Sequence, residues 1–205
     1  MRRTFPALRG GNVRHQGGTT LRWVTEHGHG GHEITEILEL IASTAGCEVM
    51  PPSDTPFHIE VGELDHDDLR ELRRLSGGLR LHFDTAYAWE VLPTPLPAGP
   101  ALLGERAAAQ TREEAPDDLT NSCYVVAIEA PATTTGFHVV IDLDTARLGR
   151  CYLTSWDTFG LVGEMPVVAT GVANLLRWLL ELQGGNPAEQ TRGLGDAYTN
   201  DVRGT

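Results

Sequence analysis

The densest group of side chains that can do chemistry lies near the N-terminus. His27, His29 and His32 are separated by glycines and flanked by Glu26 and Glu33. Imidazole and carboxylate groups bind zinc and other transition metals, so this segment is a candidate metal site of a hydrolase or tailoring enzyme. Glycine spacing places the ligands on flexible chain, unlike the helical HExxH pattern. The pattern favours a polar loop before a helix, and we expect no cofactor.

A second candidate for catalysis is a set of carboxylates in the C-terminal half. Asp142 and Asp144 alternate along a predicted strand, with Asp157 later, and paired carboxylates can bind magnesium or exchange protons. In an acidic protein, such acids are common at strand ends, so we favour a structural role.

The three cysteines, Cys47, Cys123 and Cys151, are widely spaced and form no zinc or disulfide framework. A nucleophilic thiol needs a positioned base, and His138 is the candidate base for Cys123 or Cys151. Buried structural thiols are the more common outcome. With no P-loop, GxSxG or dinucleotide-binding motif in the chain, the sequence favours a protein without catalytic activity.

The charge of the chain points to binding. The formal net charge is −12, all sixteen basic residues are arginine, and no basic run exceeds two residues. Nucleic-acid binders carry a basic face, so we exclude nucleic acid and expect a basic protein partner. The candidate partner-binding residues form two acidic clusters: Glu63, Asp65, Asp67 and Asp68, then Glu113, Glu114, Asp117 and Asp118.

Three amphipathic helices position these groups. Ile34, Ile37, Leu38 and Ile41 follow the helical i, i+3, i+4, i+7 spacing. A second helix begins with Asp65 as N-cap and buries Leu69, Leu72 and Leu75, so charge reversal at Asp67 and Asp68 is expected to leave the fold intact. A third helix, with Thr170 as N-cap, carries a wide leucine face and ends at Gly184. Polar residues 104–122 predict a surface helix followed by a loop.

Alternating apolar and polar residues predict strands near residues 57–61, 79–83, 87–91 and 137–143, a continuous apolar run predicts one at 124–128, and residues 151–156 continue the same meander. Residues 133–136 join two of them as a hairpin loop. Four prolines within residues 93–100 predict no regular element there. The order of helices and strands predicts an α+β fold, a mainly antiparallel sheet with helices packed against it.

We divide the chain into a flexible Gly/His-rich segment (residues 1–32), one α+β domain (33–185) and a polar, frayed tail (186–205). With no apolar run of about 18 residues and no signal-peptide pattern, we expect no membrane association and a cytoplasmic location. The absence of lysine, together with abundant arginine, alanine and glycine, indicates a GC-rich coding sequence of the actinobacterial type.

The C-terminal half resembles the SUKH superfamily, the Smi/Knr-like domains. The resemblance rests on a succession of short motifs: residues 124–127, 140–143, 149–152, 155–156 and 166–169, followed by the leucine-rich helix. Upstream, residues 69–81 with Gly77 and Gly78 resemble the family's helix, glycine turn and strand. Trp156 is expected to supply core area. The resemblance covers residues 60–185 and implies a SUKH-like α+β fold without established catalytic chemistry.

The same resemblance implies a function. Members include immunity proteins that neutralise toxins, often nucleases, and scaffolds of larger assemblies. We therefore predict an immunity protein that binds a basic toxin, with a scaffold of a biosynthetic or secretion gene cluster, or the metal-dependent enzyme, as alternatives. If the acidic clusters make no contact, the edge at residues 149–156 is the next candidate surface.

Overall fold

The computed structural model describes residues 30–52, 66–130, 136–191 and 193–198. These residues form one seven-stranded antiparallel sheet in which every strand pairs with its neighbour in the chain. The strands are β1 (Glu48–Val49), β2 (Leu79–Leu81), β3 (Ala88–Pro97), β4 (Cys123–Ala130), β5 (His138–Asp142), β6 (Arg150–Thr154) and β7 (Val167–Thr170). The predicted α+β fold is confirmed. The predicted strand at 57–61 and residues 133–135 of the hairpin lie outside the described residues.

In the part of the chain that the structure describes, four α-helices accompany the sheet: α1 (Gly30–Ser43), α2 (Asp67–Leu75), α3 (Glu105–Glu114) and α4 (Val172–Glu181). Each corresponds to a helix predicted from apolar spacing or surface polarity. Short helical turns occupy Gly99–Leu103, Leu119–Asn121 and Pro187–Gln190. Among the described helices, none combines the length and apolarity that crossing a bilayer requires.

Helices α1, α2 and α4 cover one face of the sheet, which we call the helical face. Ile34 and Ile41 of α1, with Leu176 and Leu179 of α4, are completely buried. They pack with Leu69 and Leu72 of α2 and with alternate residues of the strands, among them Val139, Ile141 and Leu153. Burying each large aliphatic side chain contributes about 1.5–3 kcal/mol, so this layer supplies most of the hydrophobic stabilisation.

The opposite face, which we call the loop face, carries a smaller core. Val140 and Tyr152 pack there against residues of the connecting segments: Leu102, Leu119, Phe159, Met165 and Ala197. Helix α3 lies on this side, since a Cβ at Gly99 would be 3.2 Å from the Ala108 side chain. The segment at 193–198 closes the face through a bridge from Asp196 to Pro166, so these residues of the polar tail pack onto the domain.

The prediction that residues 93–100 form no regular element was wrong. Strand β3 continues to Pro97 and pairs Leu96 with Val125, after a register shift that begins beyond Val91. The shift leaves Pro93 and Pro95 outside the pairing register, where the missing proline N–H costs nothing.

Strand β5 also departs from its predicted alternation, because all five of its residues are buried. A strand covered by helices on one face and by a second core on the other has no solvent side. Its polar residues, His138 and Asp142, therefore lie inside the protein.

Candidate partner-binding surface

The first acidic cluster lies at the start of α2, on the helical face. Glu63 and Asp65 lie outside the described residues, and the position before the helix is held by His66. Asp67 is almost fully exposed and pairs with Arg70. One turn on, Arg74 binds Glu71 through two hydrogen bonds of 2.7 and 2.8 Å. The charges of this helix therefore largely neutralise one another.

Asp68 has a role in the fold. Its half-buried carboxylate accepts a hydrogen bond from the backbone N–H of Val172, the first residue of α4. Burial raises the pKa of Asp68, and the nearby carboxylates of Glu33 and Asp67 add to this rise. The predicted N-cap of α4, Thr170, is instead the last residue of β7, and Gly171 follows it with a φ of 146°. An acid from α2 thus caps α4.

This contact yields a paired prediction. Replacing Asp68 with alanine should lower the free energy of unfolding by about 1–2 kcal/mol, because the first N–H groups of α4 lose their acceptor. Asp67→Ala should change it by less than about 0.5 kcal/mol, because Asp67 is exposed. Urea denaturation of both variants measures the difference. Equal losses in the two variants would contradict the capping role. Charge reversal at Asp68 should disrupt the fold, whereas charge reversal at Asp67 should leave it intact.

The second acidic cluster lies on the loop face. Glu113 and Glu114 end α3, and Asp117 follows in an exposed turn. Asp118 is partly buried and caps the next helical turn, accepting from the Thr120 backbone N–H at 2.9 Å and from its hydroxyl at 2.5 Å. The exposed acids of this cluster are therefore Glu113, Glu114 and Asp117.

The structure does not bring the two acidic clusters together. Helix α2 packs into the core of the helical face through Leu69 and Leu72. The segment that follows α3 enters the core of the loop face through Leu119. A partner of ordinary interface size lies on one side of the sheet, so the clusters are not one contact surface.

The loop between β6 and β7 lies beside the second cluster and carries exposed apolar side chains. Trp156, Leu161 and Val162 are 54%, 50% and 73% exposed, and Leu194 of the C-terminal segment is also exposed. A Cβ at Gly160 would lie 3.3 Å from the methyl group of Thr120, which places this loop against the turn capped by Asp118. The expectation that Trp156 belongs to the core was wrong.

Trp156 is displaced from the core because it lies two residues beyond the end of β6 and folds over the neighbouring hairpin. Its indole meets the His138 imidazole edge to face, with ring centroids 5.0 Å apart. A Cβ at Gly136 would lie 2.5 Å from the indole, so the ring covers this glycine. Sequence reasoning also missed Leu161 and Val162, although two apolar residues between Gly160 and Gly163 are a signal of an apolar loop tip.

The candidate metal ligands are only partly described. His32 lies on α1, exposed, with its Nδ1 3.1 Å from the Glu36 carboxylate. His27 and His29 lie outside the described residues. Within the described ranges, no group of three or more histidine, cysteine, aspartate or glutamate side chains could hold a metal ion.

Asp142 and Asp144 do not form a carboxylate pair of the catalytic kind. Asp142 is completely buried, and its Oδ2 lies 2.6 Å from Nε of Arg147. Its Oδ1 accepts the backbone N–H of Asp144 at 2.9 Å, and Tyr152 donates its hydroxyl to Oδ2 at 3.4 Å. These contacts fix the turn between β5 and β6, which assigns Asp142 a structural role.

The thiols proposed as nucleophiles are buried. Burial raises the pKa of Cys123 well above its usual value and that of Cys151 to about 12, so both remain protonated at neutral pH. Sequence reasoning missed a different pair: Cys47 Sγ lies 3.8 Å from His82 Nδ1, beside an open cavity of about 460 Å³. Burial also raises the pKa of Cys47, which opposes a thiolate there.

Comparison with known proteins gives a match over most of the chain. The chain is similar to a known immunity protein. It is 29% identical over 170 residues to Immunity protein YokJ of Bacillus subtilis (strain 168). The aligned residues cover 80% of this chain and 95% of that relative. No family model matches the chain, and no solved structure matches it.

Proposed function

We propose that this protein is an immunity protein that binds a cognate toxin in the cytoplasm and neutralises it without catalysis. The observation that carries the proposal is the similarity to Immunity protein YokJ along nearly its whole length. A match over 95% of that relative involves the whole domain, whereas a shared short motif would involve only a fragment. The resemblance of residues 60–185 to the SUKH superfamily supports the same role.

The charge of the protein indicates the kind of toxin. A nuclease needs a basic face to hold its polyanionic substrate. An acidic protein with a net charge of −12 complements such a face and competes with the nucleic acid for it. We therefore propose a basic toxin, with a nuclease as the first candidate.

The test uses the protein encoded by the neighbouring gene as the candidate toxin. Coexpression with this protein should restore growth of cells that the candidate kills, and the two purified proteins should form a stoichiometric complex. An unrelated toxin of similar charge is the control, which should be neither bound nor neutralised. A complex without protection would favour the scaffold role; absence of both binding and protection would contradict the proposal.

The salt dependence of binding provides a second measurement. Electrostatic attraction acts mainly on the association rate, and the Debye length falls from about 10 Å at 0.1 M salt to about 3 Å at 1 M. We expect association to slow about tenfold or more from low to high salt, with a smaller change in dissociation, as measured by stopped-flow fluorescence. An association rate independent of salt would contradict electrostatic steering.

A further inference from the structure

The β6–β7 loop holds its exposed apolar side chains on a fixed backbone. Phe159 anchors the loop in the core of the loop face. The backbone N–H groups of Gly163 and Met165 donate to the Asp196 carboxylate at 3.1 and 2.9 Å, which ties the loop to the C-terminal segment that carries Leu194. A side chain held in place before binding loses less conformational entropy in a complex. Leu161 and Val162 thus have the preorganisation of contact residues.

Uncompensated acids surround these apolar residues. Residues 113–118 and 155–164 together contain six acids and no basic residue. Five of these acids are exposed, and none of the five forms an ion pair with another described residue: Glu113, Glu114, Asp117, Asp157 and Glu164. An apolar centre with a polar, charged rim is the usual arrangement of a protein interface.

The helical face differs from the loop face in the pairing of its acids and in its exposed apolar residues. Several of its acids have basic partners: Asp67 with Arg70, Glu71 with Arg74, and Glu33 with Arg177 at 3.8 Å. Two exposed apolar residues lie at or near α1: Leu40 on the helix, and Phe83, whose backbone N–H donates to the Gly46 carbonyl beyond its end. The unpaired acids around the apolar residues of the β6–β7 loop therefore favour the loop face as the contact for a basic partner.

We infer that the toxin docks on the loop face, with Trp156, Leu161 and Val162 in the centre of the contact and the acids of residues 113–118 and 155–164 at its rim. The partner surface that fits is a basic one with a shallow apolar depression. An amphipathic aromatic residue near the centre of an interface is a common binding hot spot. The rim acids guide the approach of basic groups. This assignment rests on the proposed function.

The test compares matched substitutions on the two faces, with the protein encoded by the neighbouring gene as the probe. The double variant Leu161→Arg/Val162→Arg should weaken binding at least about 100-fold, because it places two charges in an apolar contact facing a basic surface. Leu40→Arg on α1 and Phe83→Arg beside the end of α1, at similarly exposed positions, should bind as the unaltered protein does. Asp117→Arg should slow association several-fold, whereas Glu39→Arg on α1 should have a smaller effect.

Amide hydrogen exchange of the unaltered protein, with and without the probe, locates the contact independently of any substitution. Protection of residues 155–164 and 113–118 supports the assignment, and thermal unfolding of each variant verifies that it is folded. Two outcomes would overturn the docking face while leaving the immunity role in place: hydrogen-exchange protection confined to α1 and α2, or loss of binding in Phe83→Arg. Absence of binding by the unaltered protein would overturn both.

Discussion

Arg147→Ala should lower the free energy of unfolding by about 3–5 kcal/mol. Arg147 is the cation beside the completely buried Asp142 carboxylate, with the two side chains joined by a 2.6 Å contact. Removing one partner of a buried ion pair leaves the other charge desolvated and uncompensated, which costs far more than the intact pair contributes. Typical domains have only about 5–15 kcal/mol of stability, so the variant should unfold at much lower urea concentration.

Two controls separate this effect from a general loss of arginine. Arg112→Ala, at an exposed position on α3, should change the free energy of unfolding by less than about 0.5 kcal/mol. The double variant Asp142→Asn/Arg147→Met should recover part of the loss, because it removes both buried charges together. A loss below about 1 kcal/mol in Arg147→Ala would show that the Asp142 turn is held by its backbone and Tyr152 contacts alone.

Trp178→Ala should destabilise the protein by a similar amount, about 3–5 kcal/mol, through the cavity that it leaves. Trp178 lies in the core of the helical face, with its ring centroid 6.5 Å from that of Trp89. Its indole N–H also donates to the Gln190 carbonyl at 3.2 Å, which links α4 to the turn at Pro187–Gln190. Urea denaturation followed by circular dichroism measures the change without relying on the deleted fluorophore.

Phenylalanine substitutions distinguish packing from hydrogen bonding at this pair. Trp178→Phe should cost about 1 kcal/mol more than Trp89→Phe, because only Trp178 loses a hydrogen bond and leaves the Gln190 carbonyl without its donor. The Nε1 of Trp89 has no hydrogen-bond partner among the described residues, so its removal relieves an unsatisfied donor. Equal costs at the two positions would mean that the Gln190 contact contributes nothing.

Local patterns in the sequence predicted most of the regular elements. The spacing of Ile34, Ile37, Leu38 and Ile41 predicts α1 because a helix repeats every 3.6 residues whatever it packs against. The C-terminal part of β3 was not predicted, because Pro93 and Pro95 fit into the strand only through the register shift against β4. No local sequence pattern contains that shift. The burial of the polar residues of β5 was also not predictable from local sequence, because the second core that covers them is assembled from distant segments.

The candidate surface was predictable only in part. The acids at 113–118 were identified from charge, and the edge at Trp156 from a family resemblance, but their proximity depends on the contact between Gly160 and Thr120. Charge alone also could not show that Asp68 and Asp67 have different roles. The first meets the start of α4 from another part of the chain, while the second pairs with Arg70 in its own helix.

The strict sequence order of the strands has a consequence for synthesis on the ribosome. Each of the described strands can pair with its predecessor as soon as it emerges, because none of them waits for a later described strand to be inserted beside it. Helix α4 follows all seven strands, however, and its leucines close the core that α1 and α2 only partly cover. The growing sheet therefore keeps exposed apolar surface until translation is nearly complete. Truncations that end before residue 172 should therefore aggregate, because the apolar face that α4 covers stays exposed.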